Sequence, residues 1–91
     1  MATASYGATT VTTNATAITG VKAGIGANDV AVMVPAGGTT TYIGFDNSVT
    51  TSNGFELAAG QALALEGLDE PMTVFGIVGS GSQSVRFVKV D

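Results

Sequence analysis

Cysteine, histidine and tryptophan are all absent from this 91-residue chain, and lysine and arginine together number 3. Without cysteine there is no disulfide framework and no thiolate for zinc or for nucleophilic attack. Without histidine the commonest general base and metal ligand is missing. Serine and threonine are plentiful, but a hydroxyl needs a neighbouring base to become a nucleophile, and the lysines have no evident partner to activate them. We therefore expect no enzyme and no cofactor, and assign no catalytic, cofactor-binding or metal-ligating residue. Lys22, Arg86 and Lys89, in a chain of net charge -4, cannot form the clustered basic surface that phosphate backbones demand, which argues against nucleic acid as a partner. No run approaches the roughly 18 apolar residues of a membrane-spanning helix. The opening MATASYGATT has neither the basic start nor the apolar segment of a signal peptide, so nothing marks the chain for export.

Charge itself is scarce: 11% of residues are charged, against about 25% in an ordinary soluble domain. Disorder normally accompanies high charge and few apolar residues, yet 45% of this chain is hydrophobic, so it should fold. A monomer with so few charges is poorly protected against association. The composition thus implies a surface largely covered by other subunits. A chain of this length makes one domain, and one that leaves much of its surface uncovered.

What is present is β-sheet pattern punctuated by turns. Met1 to Gly7 is small and polar apart from Tyr6, and reads as an N-terminal arm. ATTVTTNATAIT, from Ala8, is Thr-rich and β-branched, giving one long strand or two short ones about Asn14-Ala15. The Asn14-Ala15-Thr16 triplet matches a glycosylation acceptor, which carries little meaning without a secretion signal. GVKAGIGAN, from Gly20 to Asn28, is a glycine-rich loop, and its Gly24-Ile25-Gly26 lacks the rest of a dinucleotide fingerprint. Asp29 to Val34 alternates Val30, Val32 and Val34 against Ala31 and Met33, so both faces are apolar and the strand should be central or covered. Pro35 and Gly37-Gly38 then turn the chain.

The stretch TTYIGFDNSVTTSNGFELAAGQALAL, from Thr40, forms the middle of the pattern. Ile43 and Phe45 share one face and should point inward, with Tyr42, Gly44 and Asp46 opposite. Asn47-Ser48 and Ser52-Asn53-Gly54 reverse the direction, because such residues bond their own main chain or accept left-handed backbone. Phe55 and Leu57 resume the alternation, Gly60 takes a positive φ in a second turn, and Leu63 and Leu65 follow. Glu66, Asp69 and Glu70 cluster in the loop EGLDEP without the spacing of a calcium site, and read as solvated acids. Asp29 and Asp46 read as turn or strand-end residues. MTVFGIV sets Phe75 and Ile77 against Met72, Val74 and Val78. Gly79 to Ser82 reads as a hairpin connection, and SVRFVKV, with Val85 and Phe87 opposing Arg86, Val88 and Val90, is a closing strand open to pairing with another chain.

These signals give an all-β fold, a small antiparallel β-sandwich or jelly-roll-like barrel of about 6–8 short strands, with residues 1–7 as an arm and 8–91 as one domain. Tyr6 in the arm, with Met33, Met72, Val74, Val88 and Val90 as apolar surface beyond one core, are the candidate interface residues. The alternative is that several of them simply pack inside.

The layout of a valine-rich strand, TTYIGFDNSVTTSNGF, FELAAGQALAL and a closing SVRFVKV resembles small virion structural proteins of tailed bacteriophages along nearly the full length. That resemblance implies a head decoration or cement protein, often a trimer, seated on the outside of the capsid and made in the host cytoplasm. Its partner would be the major capsid protein or another virion protein. A domain of a head or tail fibre is the alternative within the same class. A carbohydrate-binding β-sandwich module is a further one, with Tyr6, Tyr42 and Phe55 as the aromatics that could stack on sugar rings.

Overall fold

A computed structural model of the chain describes residues 4–21, 28–68 and 72–90, with side chains in 6–18, 30–65 and 73–88. The described residues form eight strands: β1 (Ala4–Val11), β2 (Thr16–Val21), β3 (Asn28–Met33), β4 (Thr41–Gly44), β5 (Phe55–Leu57), β6 (Ala62–Leu68), β7 (Met72–Val78) and β8 (Gln83–Val90). They make two four-stranded antiparallel sheets, one in the order β1-β8-β3-β6 and the other β2-β7-β4-β5. First pairs with last, second with seventh, third with sixth and fourth with fifth. The chain is thus one long hairpin rolled so that successive pairs fall alternately in the two sheets, which is the winding of a jelly roll.

The inward faces follow the period of two. Val11, Val30, Val32, Val34 and Val85 from the first sheet meet Ile18, Ile43, Leu57, Val74 and Val78 from the second, and Leu63, Leu65 and Phe87 pack against them. β-Branched residues dominate this core because they suit both the pleated backbone and dense packing. Gly76 sits among them, where an added Cβ would lie 2.9 Å from Ile18 Cδ1 and 3.2 Å from Val11 Cγ2. Thr41 is buried in the same layer, and its hydroxyl donates to the Thr39 carbonyl at 3.1 Å. The two sheets are also stitched at the rim by Val78 N–H donating to Thr12 C=O at 3.1 Å and by the Thr9 hydroxyl donating to Ile18 C=O at 3.2 Å.

Several expectations change. Ala4–Gly7 are not an arm: they pair with β8 from Val90 to Phe87. β8 is eight residues long, and its outer edge would otherwise leave backbone donors and acceptors without partners. The Phe87 ring lies over Gly7, 3.1 Å from where a Cβ would stand. β8 is accordingly interior, with β1 on one side and β3 on the other, not an open closing strand. The Gly79–Ser82 connection is not a hairpin, since β7 and β8 lie in different sheets; β4 and β5 are the sequential neighbours that pair. The inward assignment of Phe45 also fails, for it is 47% exposed, and Phe55 is 58% exposed. Phe45 lies just past β4 and Phe55 opens the short edge strand β5, so the facing sheet no longer covers them.

Candidate assembly surfaces

Register determines which outward side chains stand side by side. On the β1-β8-β3-β6 sheet, Tyr6, Val88, Ala31 and Ala64 form one cross-strand row, and Ala8, Arg86, Met33 and Ala62 the next. Residues directly opposite on one face lie about 4.5–5.5 Å apart at Cβ, close enough to make a continuous surface. An antiparallel sandwich ordinarily turns polar side chains outward. Here the two rows are apolar apart from Arg86. Between them runs a groove of about 280 Å³ with almost wholly apolar walls, lined by Tyr6, Gly7, Ala31, Val32, Met33, Ala62, Arg86, Phe87 and Val88. Tyr6 stands out from it at 86% exposure.

The other sheet presents Tyr42, Phe75 and Ile77, all half-buried, on its outer side. Tyr42 is opposite both Glu56 and Ile77, and Phe75 is opposite Gly44 and Ala17. The loop 46–54 folds back over this face and buries Val49. A Cβ at Gly44 would fall 2.6 Å from Val49 Cβ, and one at Gly54 2.7 Å from Tyr42 Cβ, so two glycines make this cover possible. The loop is held by its own side chains. Ser48 N–H and hydroxyl donate to Asp46 Oδ1, Thr50 N–H donates to Asn53 Oδ1 at 2.7 Å, and Ser52 and Asn53 N–H donate to Thr50 Oγ1. Those two donors from Ser48 hold the Asp46 carboxyl below its ordinary value, because they favour the ionised form.

The sequence-based interface residues therefore scatter. Tyr6, Met33 and Val88 come together at the groove. Val74 is fully buried between the sheets and has no surface to offer, so it is a core residue; its strand is interior and its even-numbered side turns inward. Met72 and Val90 have side chains outside the described residues, as does the acidic cluster of Glu66, Asp69 and Glu70. Pattern reading missed Arg86 as part of the groove and Phe45 as an exposed tip, whereas Phe55, counted among the aromatics that could stack on sugar rings, does stand exposed. The available signal was position: each phenylalanine borders the polar loop and is followed directly by an acid, Asp46 or Glu56. Among the described residues no group of three His, Cys, Asp or Glu could hold a metal ion.

Fold and surfaces together define a jelly-roll domain with an apolar groove on the outer face of one sheet. No family model and no curated protein matches the chain. Among solved structures it is similar to a chain of the Bacillus endospore appendages, described as a novel family of disulfide-linked pili. The match has a TM-score of 0.67 and 14% identity and covers 99% of this chain and 83% of that one. At such identity the likeness concerns the fold.

Proposed function

We propose that this chain is a non-enzymatic structural subunit of a phage particle, a decoration protein that lies on the outside of the head and stabilises the shell. The observation that carries this reading is the outer face of the β1-β8-β3-β6 sheet, where two adjacent cross-strand rows hold only apolar side chains and Arg86. A protein that reinforces a shell needs shape and apolar area across which neighbouring subunits are bridged, and has no need of titrating groups. Trimerisation would add the burial that a chain this short lacks. The layout of the sequence, similar to small virion proteins, points the same way. The test is cryo-electron microscopy of heads with and without added chain. Density at regular positions on the outer shell, with heads more resistant to heat, is expected; no occupancy on the shell would overturn the assignment.

A second reading, a subunit of a fibre, is favoured by the fold likeness to a pilus chain. This chain has no cysteine, so it could not be joined in such a fibre by disulfides of its own. Filaments in electron micrographs of the purified chain would select that reading over discrete particles.

A further inference from the structure

We infer that Asn53-Gly54 is a latent self-modification site: the folded loop 46–54 keeps the pair from reacting, and lifting of the loop lets the Gly54 backbone nitrogen cyclise onto the Asn53 side chain and release ammonia. The inference is independent of the virion reading. An asparagine followed by glycine suits this ring closure, since no Cβ on the second residue hinders the approach of its nitrogen and its backbone turns freely. A bond forms from Gly54 N to Asn53 Cγ, the amide proton passes to solvent base, and the Cγ–Nδ2 bond breaks with Nδ2 leaving as ammonia. Water then opens the cyclic imide at either carbonyl. One opening leaves an aspartate at position 53, the other an isoaspartate whose main chain runs through the former side chain. No oxidant, metal or second protein is required.

Three observations show how the closed loop holds the reaction back. First, the nucleophile is occupied: Gly54 N–H donates to Thr50 C=O at 2.9 Å. Second, the electrophile is turned away from it. Asn53 Oδ1 accepts from Thr50 N–H at 2.7 Å and Nδ2 donates to Ser48 C=O at 3.4 Å, so the carboxamide reaches back along the chain, whereas ring closure needs it to swing forward to Gly54. Third, Gly54 has little room to move: a Cβ there would stand 2.7 Å from Tyr42 Cβ and 2.9 Å from Val49 Cγ2. The hydrogen bonds themselves are exposed, with Thr50 Oγ1 accepting from Ser52 and Asn53 N–H at 3.2 Å each. Exposed networks of this kind open locally at far lower cost than the whole fold, and a reaction confined to the open form tracks how often that form is populated.

The products fit the closed loop poorly. An aspartate sets a carboxylate oxygen against Ser48 C=O, where Nδ2 now donates, and an isoaspartate adds a methylene to the main chain just before Gly54. Both add one negative charge to a chain of net charge -4. Loss of the cover bares Val49, which is 6% exposed beneath the closed loop, and the outward side of Tyr42. A transient lifting of the loop is thereby converted into lasting exposure of an apolar patch on the β2-β7-β4-β5 sheet.

The experiment incubates the full chain at mildly alkaline pH, folded and in urea, and follows position 53 by peptide mass mapping. Two variants loosen the loop by different means: Thr50→Val removes the Oγ1 acceptor at an exposed position, and Gly44→Ala presses on Val49 from below. Thermal unfolding verifies that each variant folds. Asn53 should be lost roughly tenfold or more slowly in the folded parent than in urea, and faster in both folded variants than in the folded parent. The modified parent, separated by its extra negative charge, should exchange the amide hydrogens of residues 46–54 faster while those of the strands stay protected. Three results would overturn the inference: equal rates in the folded and urea-unfolded parent, two folded variants that react no faster than the parent, or a modified chain whose loop exchanges like that of the unmodified one.

Discussion

At the scale of single residues, the glycines divide sharply by what surrounds them. Gly44→Ala sets a methyl against Val49 Cβ at 2.6 Å, and the whole loop 46–54 must lift to relieve it. We expect a loss of about 1–3 kcal/mol, typical of overpacking. Gly79→Ala meets nothing within 4 Å and has no positive φ, so it should be neutral or slightly stabilising through the unfolded chain. Thermal unfolding of the two variants side by side checks the contrast. Asp46 makes a different prediction. Its folded-state pKa is depressed by the Ser48 donors, so its contribution is present above the unfolded value near 3.9 and is lost as pH falls through the lower folded value. A carboxyl titration followed by NMR should give a midpoint below that of a free aspartate. Asp46→Asn should abolish the acid-dependent loosening of the loop seen by hydrogen exchange. A midpoint at or above the ordinary value would show that the Ser48 hydrogen bonds do not persist in solution.

At the scale of elements, β1 is decisive because it is an edge strand that protects an interior one. Truncation before Ala8 would remove Tyr6 and Gly7, uncover half of β8 and take away the backbone beneath the Phe87 ring. An arm could be lost without harm; half of a paired strand cannot. We expect the truncated chain to unfold at markedly lower temperature and to aggregate through the freed edge of β8, whereas Tyr6→Ser keeps the parent stability. Equal melting temperatures for the truncated and parent chains would contradict the β1–β8 register. The winding also explains why Asp29–Val34 and Ser84–Val90 read as apolar on both sides. β3 and β8 are the two interior strands of one sheet, with Val30, Val32 and Val85 facing the core and Ala31, Met33 and Val88 facing out.

At the scale of the whole molecule, the rolled hairpin makes nearly all pairing non-local, with first strand on last and second on seventh. Such topologies must close long loops before any contact compensates, and fold slowly for their size. Stopped-flow refolding should therefore proceed in milliseconds to seconds as one exponential, with β1 truncation among the variants that alter it; microsecond folding would argue against this topology. The same winding assembles the groove from β1, β3, β6 and β8. Its integrity should disappear in the same cooperative transition as the core.

Much was legible in the chain read alone. The period of two in Val30-Val32-Val34, in Leu63 and Leu65, and in Val85 against Arg86 identified strands and their inward sides, because alternation is imposed by the backbone itself. Turn chemistry was equally local, and Gly60 adopts a φ of 81° as expected. The absence of cysteine and histidine, and the scarcity of charge, were properties of composition that no fold could alter. Tertiary structure alone decided the rest: that Ala4–Gly7 are paired strand, that Val74 lies in the core while Phe45 and Phe55 stand outside it, and that Arg86 joins Tyr6, Met33 and Val88 at one groove. Those outcomes depend on which strands become neighbours and where one sheet stops covering the other. Both are set by contacts between residues far apart in sequence, which no local pattern encodes.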